Sequence, residues 1–311
     1  MAKRRISQSH SGQEQRDAFQ RSSRRRPSAA PRGTRGNPDT NQKPILPPLI
    51  YPEHRIRLLQ VNPGAFDDEI HCAVTTCALE QAPLFHAISY TWGDPKDQEQ
   101  IFVDGRQMTI RQNCHFAIQQ ARHHSPGVPI WIDSICINQD DAAEKSAQVQ
   151  IMGDIYAKAS SVLACIGPSD AASDFVIKFA KDIDARLADL KEEESRGRVI
   201  REDGTSPLLP GLWRRLSELS RHWASFTARP YFGRLWVMQE LHEGSGRTTV
   251  LCGTTPVEWD EIRIMHARLG TINHPSCKPA VGFMSIMELV GPPMLQSIRG
   301  QVPVRSLLQT H

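Results

Sequence analysis

From residue 51 onward, apolar positions either alternate with polar ones or gather in short runs punctuated by Pro and Gly. Residues 56–61, 70–75 and 84–91 read as three strands. Residues 100–110 hold two short β-like runs around Asp104-Gly105, a dipeptide that favours a two-residue hairpin turn. From Asn113, whose side chain can cap, the spacing turns helical. Phe116, Ile118 and Ala121 fall on or near one face, and the pattern stops before Ser125-Pro-Gly127. Residues 129–133 predict a buried strand. Val149, Met152, Ile155, Tyr156 and Ala159 then recur at three- and four-residue steps, which predicts one helix over 141–159. Residues 161–167 read as a further strand, and this strand, helix, strand, helix, strand order predicts parallel pairing with right-handed crossovers. Residues 174–190 are helical by pattern, 191–198 form a charged break, 221–228 and 233–241 are helical pieces around Pro230, and 248–253 reads as a last strand. Beyond residue 272 the periodicity fades among Pro275, Pro279, Pro292, Pro293 and Pro303.

Charge divides the 311-residue chain unevenly. Residues 1–45 carry eleven Lys/Arg against Glu14, Asp17 and Asp39, a net of +8 within a chain whose total is +3, so the remainder is acidic. That segment is nearly free of aliphatic side chains and cannot bury enough surface to offset the entropy of ordering, so it reads as a disordered basic arm. Lys3-Arg-Arg5 and Arg24-Arg-Arg-Pro27 could serve as a nuclear address or touch nucleic acid. Without interleaved aromatics, a solvated tail is the plainer reading, and nucleic acid ranks last among partners. Hydrophobic content of 39% suits one packed domain, placed at 46–270, with a weakly structured end over 271–311. No apolar run reaches signal-peptide or membrane-span length, so no membrane partner is expected. Seven cysteines without a C-x-x-C pair fit small buried hydrophobes in a reducing, intracellular and mainly cytoplasmic setting.

Two apolar runs end abruptly in polar residues, Ala87-Ile-Ser-Tyr-Thr-Trp-Gly-Asp94 and Trp131-Ile-Asp-Ser-Ile-Cys-Ile-Asn-Gln139. Strands of that kind deliver side chains to a sheet edge, where α/β folds place their sites. Ser89, Tyr90, Trp92, Gly93 and Asp94 are candidates from the first run. Gly93 lets a backbone approach a ligand, and Trp92 could stack on a base or pyridine ring or simply plug the sheet edge. Asp133, Asn138 and Gln139 from the second could hold ribose hydroxyls, or Asp133 could satisfy a strand end. Glu144 and Gln148, four apart on the helix that follows, could belong to the same site or face outward with Lys145 as a solvated surface. In Arg234-Leu-Trp-Val-Met-Gln-Glu-Leu241, Trp236 and Glu240 share a helix face, which suits an indole shielding a carboxylate. No glycine fingerprint, Walker motif, nucleophile elbow or zinc-ligand spacing is present, so no cofactor or metal is expected.

These three stretches, in this order, with Tyr156-Ala-Lys-Ala159 and Cys252-Gly253 between and after them, resemble the fungal heterokaryon incompatibility (HET) domain from about Leu84 onward. The resemblance implies a role in fungal self/non-self recognition and regulated cell death. HET domains look distantly related to Toll/interleukin-1 receptor (TIR) domains. That implies a TIR-like, flavodoxin-like, doubly wound and mostly parallel sheet with an inserted hairpin and extra helices. Some TIR domains cleave NAD at the nicotinamide glycosidic bond, and the Trp-x-x-x-Glu-Leu spacing assigns Glu240 the catalytic carboxylate role, with NAD as substrate and no cofactor. The alternative is a non-catalytic module that self-associates or docks on a TIR-like or nucleotide-binding regulator, with Trp92 and Trp236 as anchors. Two departures stand out: Asn113-Cys114 where members often carry Asn-Leu, and an ending at His311 where a regulatory region commonly begins, as in a truncated product or a free-standing domain.

Overall fold

A computed structural model describes residues 46–182, 210–244 and 246–271, all within one unit, Pro44–His311. The basic arm, the charged break at 191–198 and the end over 272–311 lie outside the described residues. Nine strands form a single sheet: β1 (Arg55–Val61), β2 (His71–Ala78), β3 (His86–Tyr90), β4 (Gln98–Val103), β5 (Arg106–Arg111), β6 (Ile130–Trp131), β7 (Ser161–Cys165), β8 (Thr248–Cys252) and β9 (Thr255–Glu258). Their spatial order is β5-β4-β2-β1-β6-β3-β7-β8-β9. The centre, β6-β3-β7-β8, is parallel, as the alternating order of elements predicts. β1 runs antiparallel to both β6 and β2, and each outer edge closes with an antiparallel hairpin, so the sheet is mixed. β3 and β7 are buried along nearly their whole length, as parallel strands covered on both faces must be.

Helices connect the strands: α1 (Gln112–His124), α2 (Asp133–Cys136), α3 (Ala142–Gln150), α4 (Met152–Lys158), α5 (residues 171–182), α6 (Pro210–Thr227), α7 (Trp236–Glu243) and α8 (Trp259–Thr271). The larger core lies under β1, β3 and β6, where Trp131 meets Tyr156 edge to face at 5.6 Å. A second core joins β8 to helices α5–α8 around the fully buried Trp223 and Trp259.

Several expectations change. The hairpin between β4 and β5 turns at Asp104 (φ 48°) and Gly105 (φ 74°), the left-handed pair that the sequence predicts. Asn113 does not cap α1; the helix begins one residue earlier, and the Asn113 amide donates to the Thr91 carbonyl at 2.9 Å. The strand expected over 129–133 keeps two paired residues, and Asp133 opens a one-turn helix instead, its Oδ1 accepting from the Ser134 amide at 2.7 Å. The single helix expected over 141–159 breaks at Ile151 into α3 and α4. Val149 is left 39% exposed, while Met152, Ile155, Tyr156 and Ala159 are buried. At Gly153 in α4, a Cβ would come within 2.8 Å of the Gln239 side chain of α7, so the two helices are set at a spacing that glycine permits. β8 is not the last strand, because Gly253 (φ 56°) turns the chain into β9 at the sheet edge, where Pro256 is tolerated.

Candidate functional site

β3 sends consecutive side chains to opposite faces of the sheet. Ser89 faces α7. Its hydroxyl lies 2.7 Å from the Tyr231 hydroxyl and donates to the Glu240 carboxyl in a short hydrogen bond. Glu240, on α7, is only 2% exposed. The Arg234 guanidinium sits 3.7 Å from its other oxygen and also donates to the Tyr90 carbonyl at the end of β3. Tyr156 donates to the Ile88 carbonyl at 3.0 Å, within the same buried group. Burial pushes the Glu240 carboxyl up to about 7; Arg234 and the Ser89 hydroxyl oppose that shift without cancelling it, and the nearby Asp133 charge reinforces it. A carboxyl held there changes charge within the neutral range, as a group that gives and takes protons must.

Glu240 lines a cleft of roughly 340 Å³ with Trp236, one helical turn before it. Trp92 and Asp133 form another part of the wall, with Gln139, Lys145 and Met152 also on the lining. Trp92 is held in place on two sides: its Nε1 donates to Asp133 Oδ2 at 2.9 Å, and the Arg111 guanidinium lies over the ring at 5.1 Å. Arg111 also donates to the Gly93 carbonyl at 2.9 Å. Gly93 has φ 78°, and a Cβ there would meet the Asn113 amide at 2.7 Å, so only glycine fits this turn. Burial raises the Asp133 carboxyl above its ordinary range, against the lowering effect of the Trp92 N–H and Arg234. Gln139 donates to the Asp133 carbonyl at 2.9 Å, fixing the loop after α2.

Of the residues singled out from the sequence, Trp92, Asp133, Gln139, Trp236 and Glu240 thus meet in one cleft, with Ser89 behind the carboxyl and Gly93 shaping the turn. Three do not. Tyr90 faces the opposite side of the sheet, where its hydroxyl donates to Ser134 Oγ at 2.7 Å. Asp94 is exposed and accepts from the Lys96 amide at 2.9 Å, an ordinary turn. Asn138 accepts from the Asp140 amide at 3.2 Å and donates its own N–H to Glu144, off the cleft lining.

Glu144 and Gln148 turn inward rather than outward. Both are buried, Glu144 against Arg57 and Gln148 donating to the Arg55 carbonyl at 2.8 Å. Arg57 went unnoticed, although an arginine within Ile56-Arg-Leu-Leu59 was a visible interruption of an apolar strand. Arg234 and Tyr231 were also missed as site residues; Arg234 stands in the third motif, six residues ahead of Glu240. Among the described residues no group of His, Cys, Asp or Glu is arranged to hold a metal ion, and no helix is long and apolar enough to cross a membrane. The six described cysteines are free thiols.

The family model of the heterokaryon incompatibility protein (HET) matches residues 85–240, a span that runs from the start of β3 to the buried glutamate. The chain is also 33% identical over 221 residues to heterokaryon incompatibility protein 6, OR allele, of Neurospora crassa. That alignment covers 62% of this chain and 32% of the relative, so the chain spans about a third of the relative's length. No solved structure matches. The cleft and the residues behind it lie almost entirely inside the matched span, and the chain belongs to the heterokaryon incompatibility (HET) family.

Proposed function

We propose that this chain acts in fungal heterokaryon incompatibility as an effector of non-self recognition, triggering cell death by hydrolysing NAD at the Glu240 cleft. The observation that carries the chemistry is the Glu240 carboxyl, buried and held near neutrality beside Arg234 and Ser89, in a cleft walled by two indoles. In the reaction, the bond between ribose C1′ and the nicotinamide nitrogen breaks and its electron pair goes to the pyridine ring. Water adds to C1′ and surrenders a proton to the carboxylate, giving nicotinamide, ADP-ribose and a proton released to solvent. The ionised Glu240 stabilises the oxocarbenium-like transition state, as carboxylates do in glycoside hydrolysis. Trp92 and Trp236 offer apolar faces for the pyridine ring, and Asp133 offers an acceptor for ribose hydroxyls.

The fold reading that accompanies this function is a TIR-like, doubly wound sheet. It is supported by the parallel quartet β6-β3-β7-β8, in which the chain passes from β3 to β6 on one side and from β7 to β8 on the other. The connections diverge between β3 and β7, so a crevice is expected at the carboxyl ends of those two strands, beside the loop after β3 that carries Trp92. Action inside the cell fits the absence of a spanning helix among the described residues and their free thiols.

A second reading is a non-catalytic module that self-associates or docks on a TIR-like or nucleotide-binding regulator. Leu235, 54% exposed between two residues of the cleft wall, favours it. Purified full-length chain, dilute and artificially clustered, would be assayed for NAD loss and nicotinamide release beside Glu240→Gln. Release that vanishes in the variant is expected. No release from folded, clustered protein overturns the enzymatic reading and leaves the module.

A further inference from the structure

Lys145 stands on the cleft wall among residues that hold the fold together. On α3, Glu144 turns inward to Arg57 and Gln148 turns inward to the backbone of β1. The same helix therefore presents Lys145 and Val149 outward, onto the cleft. The Lys145 side chain is exposed, and its amine makes no hydrogen bond or ion pair among the described residues. The N-terminus of α3 is already satisfied by Asp141, which accepts from the amides of Ala143 and Glu144 at 3.0 Å each, so no anion site arises from the helix end. Across the lining stands Arg234, tied through Tyr90 and Glu240 yet leaving part of its guanidinium exposed.

Among the described residues no carboxyl pairs with the Lys145 amine, whereas Arg234 shares its charge with Glu240 and Asp133. Asp133 already accepts from Trp92 and from the Ser134 amide. Glu240 is uncharged in part near neutrality. We infer that Lys145 and Arg234 form an anion subsite at the mouth of the cleft, which takes the phosphate of a phosphorylated nucleoside whose ring rests against Trp92 or Trp236. The inference rests on reading the cleft as a nucleotide site. A cleft of roughly 340 Å³ stands at the small end of ligand pockets. It suits one nucleotide half of a dinucleotide, with the rest of the molecule leaving past Lys145.

Tryptophan fluorescence of the full chain would follow titration with nicotinamide mononucleotide and nicotinamide riboside, and with adenosine monophosphate and adenosine. The titrations would be repeated in Glu240→Gln to exclude turnover. The mononucleotide is expected to bind about tenfold more tightly than the riboside, as one charge-assisted contact implies. That preference should fall toward onefold in Lys145→Ala and in high salt, and return in Lys145→Arg. Equal binding of nucleotide and nucleoside by the unmodified chain, or a preference that survives Lys145→Ala, overturns the subsite and leaves the NAD reading standing. A Lys145-dependent preference for adenosine monophosphate, with neither nicotinamide compound bound, keeps the subsite and overturns the NAD reading. Failure of folded protein to bind any of the four overturns both.

Discussion

The Arg57 guanidinium and the Glu144 carboxylate meet in a two-pronged ion pair, at 2.5 and 2.8 Å, with both side chains almost wholly withdrawn from solvent. Arg57 further donates to the carbonyls of Pro47 and Cys136, and Glu144 accepts from the Asn138 amide. One buried pair thus joins β1, the chain leading into it, α2 and α3, and so fixes the wall that carries Lys145. Its value lies in position more than in net energy, because desolvating two charges offsets much of their attraction.

Breaking that pair from one side should be severe. Glu144→Ala leaves a buried guanidinium without its counter-charge and is expected to lower unfolding stability by about 3–5 kcal/mol. The double variant Arg57→Met with Glu144→Leu should recover much of the loss. Urea unfolding followed by circular dichroism measures both, and a Glu144→Ala variant as stable as the parent would contradict the burial described above.

Glu240 should impose a pH dependence on stability that can be isolated by difference. Its folded pKa, near 7, lies above the value of about 4.5 that an exposed glutamate has, so the folded state holds the proton more tightly. The resulting stabilisation is complete below about pH 4.5 and is lost as pH rises through 7, up to about 3 kcal/mol in all. Glu240→Gln lacks that loss, so the stability of the variant relative to the parent should climb between pH 5 and 8. His86, His115, His124 and His266, whose pKa values burial lowers, act in the opposite sense in both proteins and cancel. A flat difference across this range would mean an ordinary, ionised Glu240.

Catalysis, under the hydrolase reading, needs the ionised carboxylate. Activity per substrate bound should therefore rise with pH along a limb centred near 7, visible in kcat/KM for nicotinamide release. Arg234 holds the carboxyl down, so Arg234→Gln should move the midpoint upward while preserving the shape of the limb. A midpoint unmoved by that change would detach Arg234 from the acidity of Glu240.

At Gly93, alanine must adopt a left-handed φ and meet Asn113. A loss of about 1–3 kcal/mol is expected from the strain alone. Thermal unfolding of Gly93→Ala reports it, and an unchanged midpoint would show that the turn relaxes freely.

What the sequence made legible was local. The β4–β5 hairpin followed from Asp104-Gly105 because the turn chemistry is complete within the dipeptide, and the parallel centre followed from apolar runs alternating with helical spacing. The family motifs were equally readable, and they led to Glu240, Trp236 and Trp92. What stayed hidden was set by distant partners. Glu144 and Gln148 carry the signature of a solvated face, yet Arg57 lies 87 positions away and the carbonyl that Gln148 reaches on Arg55 lies 93 away. Val149 continues the helical period of Met152 and Ile155, but the break at Ile151 rotates α3 away from α4, and no periodicity count registers a change of axis. Asp94 and Asp133 sit in comparable sequence contexts. Only the fold separates the turn residue from the one tethered to an indole.

Gly153 is absent from the cleft lining, though Met152 beside it belongs to the wall. Gln239, which a Cβ at 153 would strike, stands on α7 immediately before Glu240. A methyl at 153 would displace the tip of the Gln239 side chain, a flexible group that can swing aside, so the amide would lose its place against α4. The missing side chain at 153 is therefore the berth of the Gln239 amide, one residue from the carboxyl.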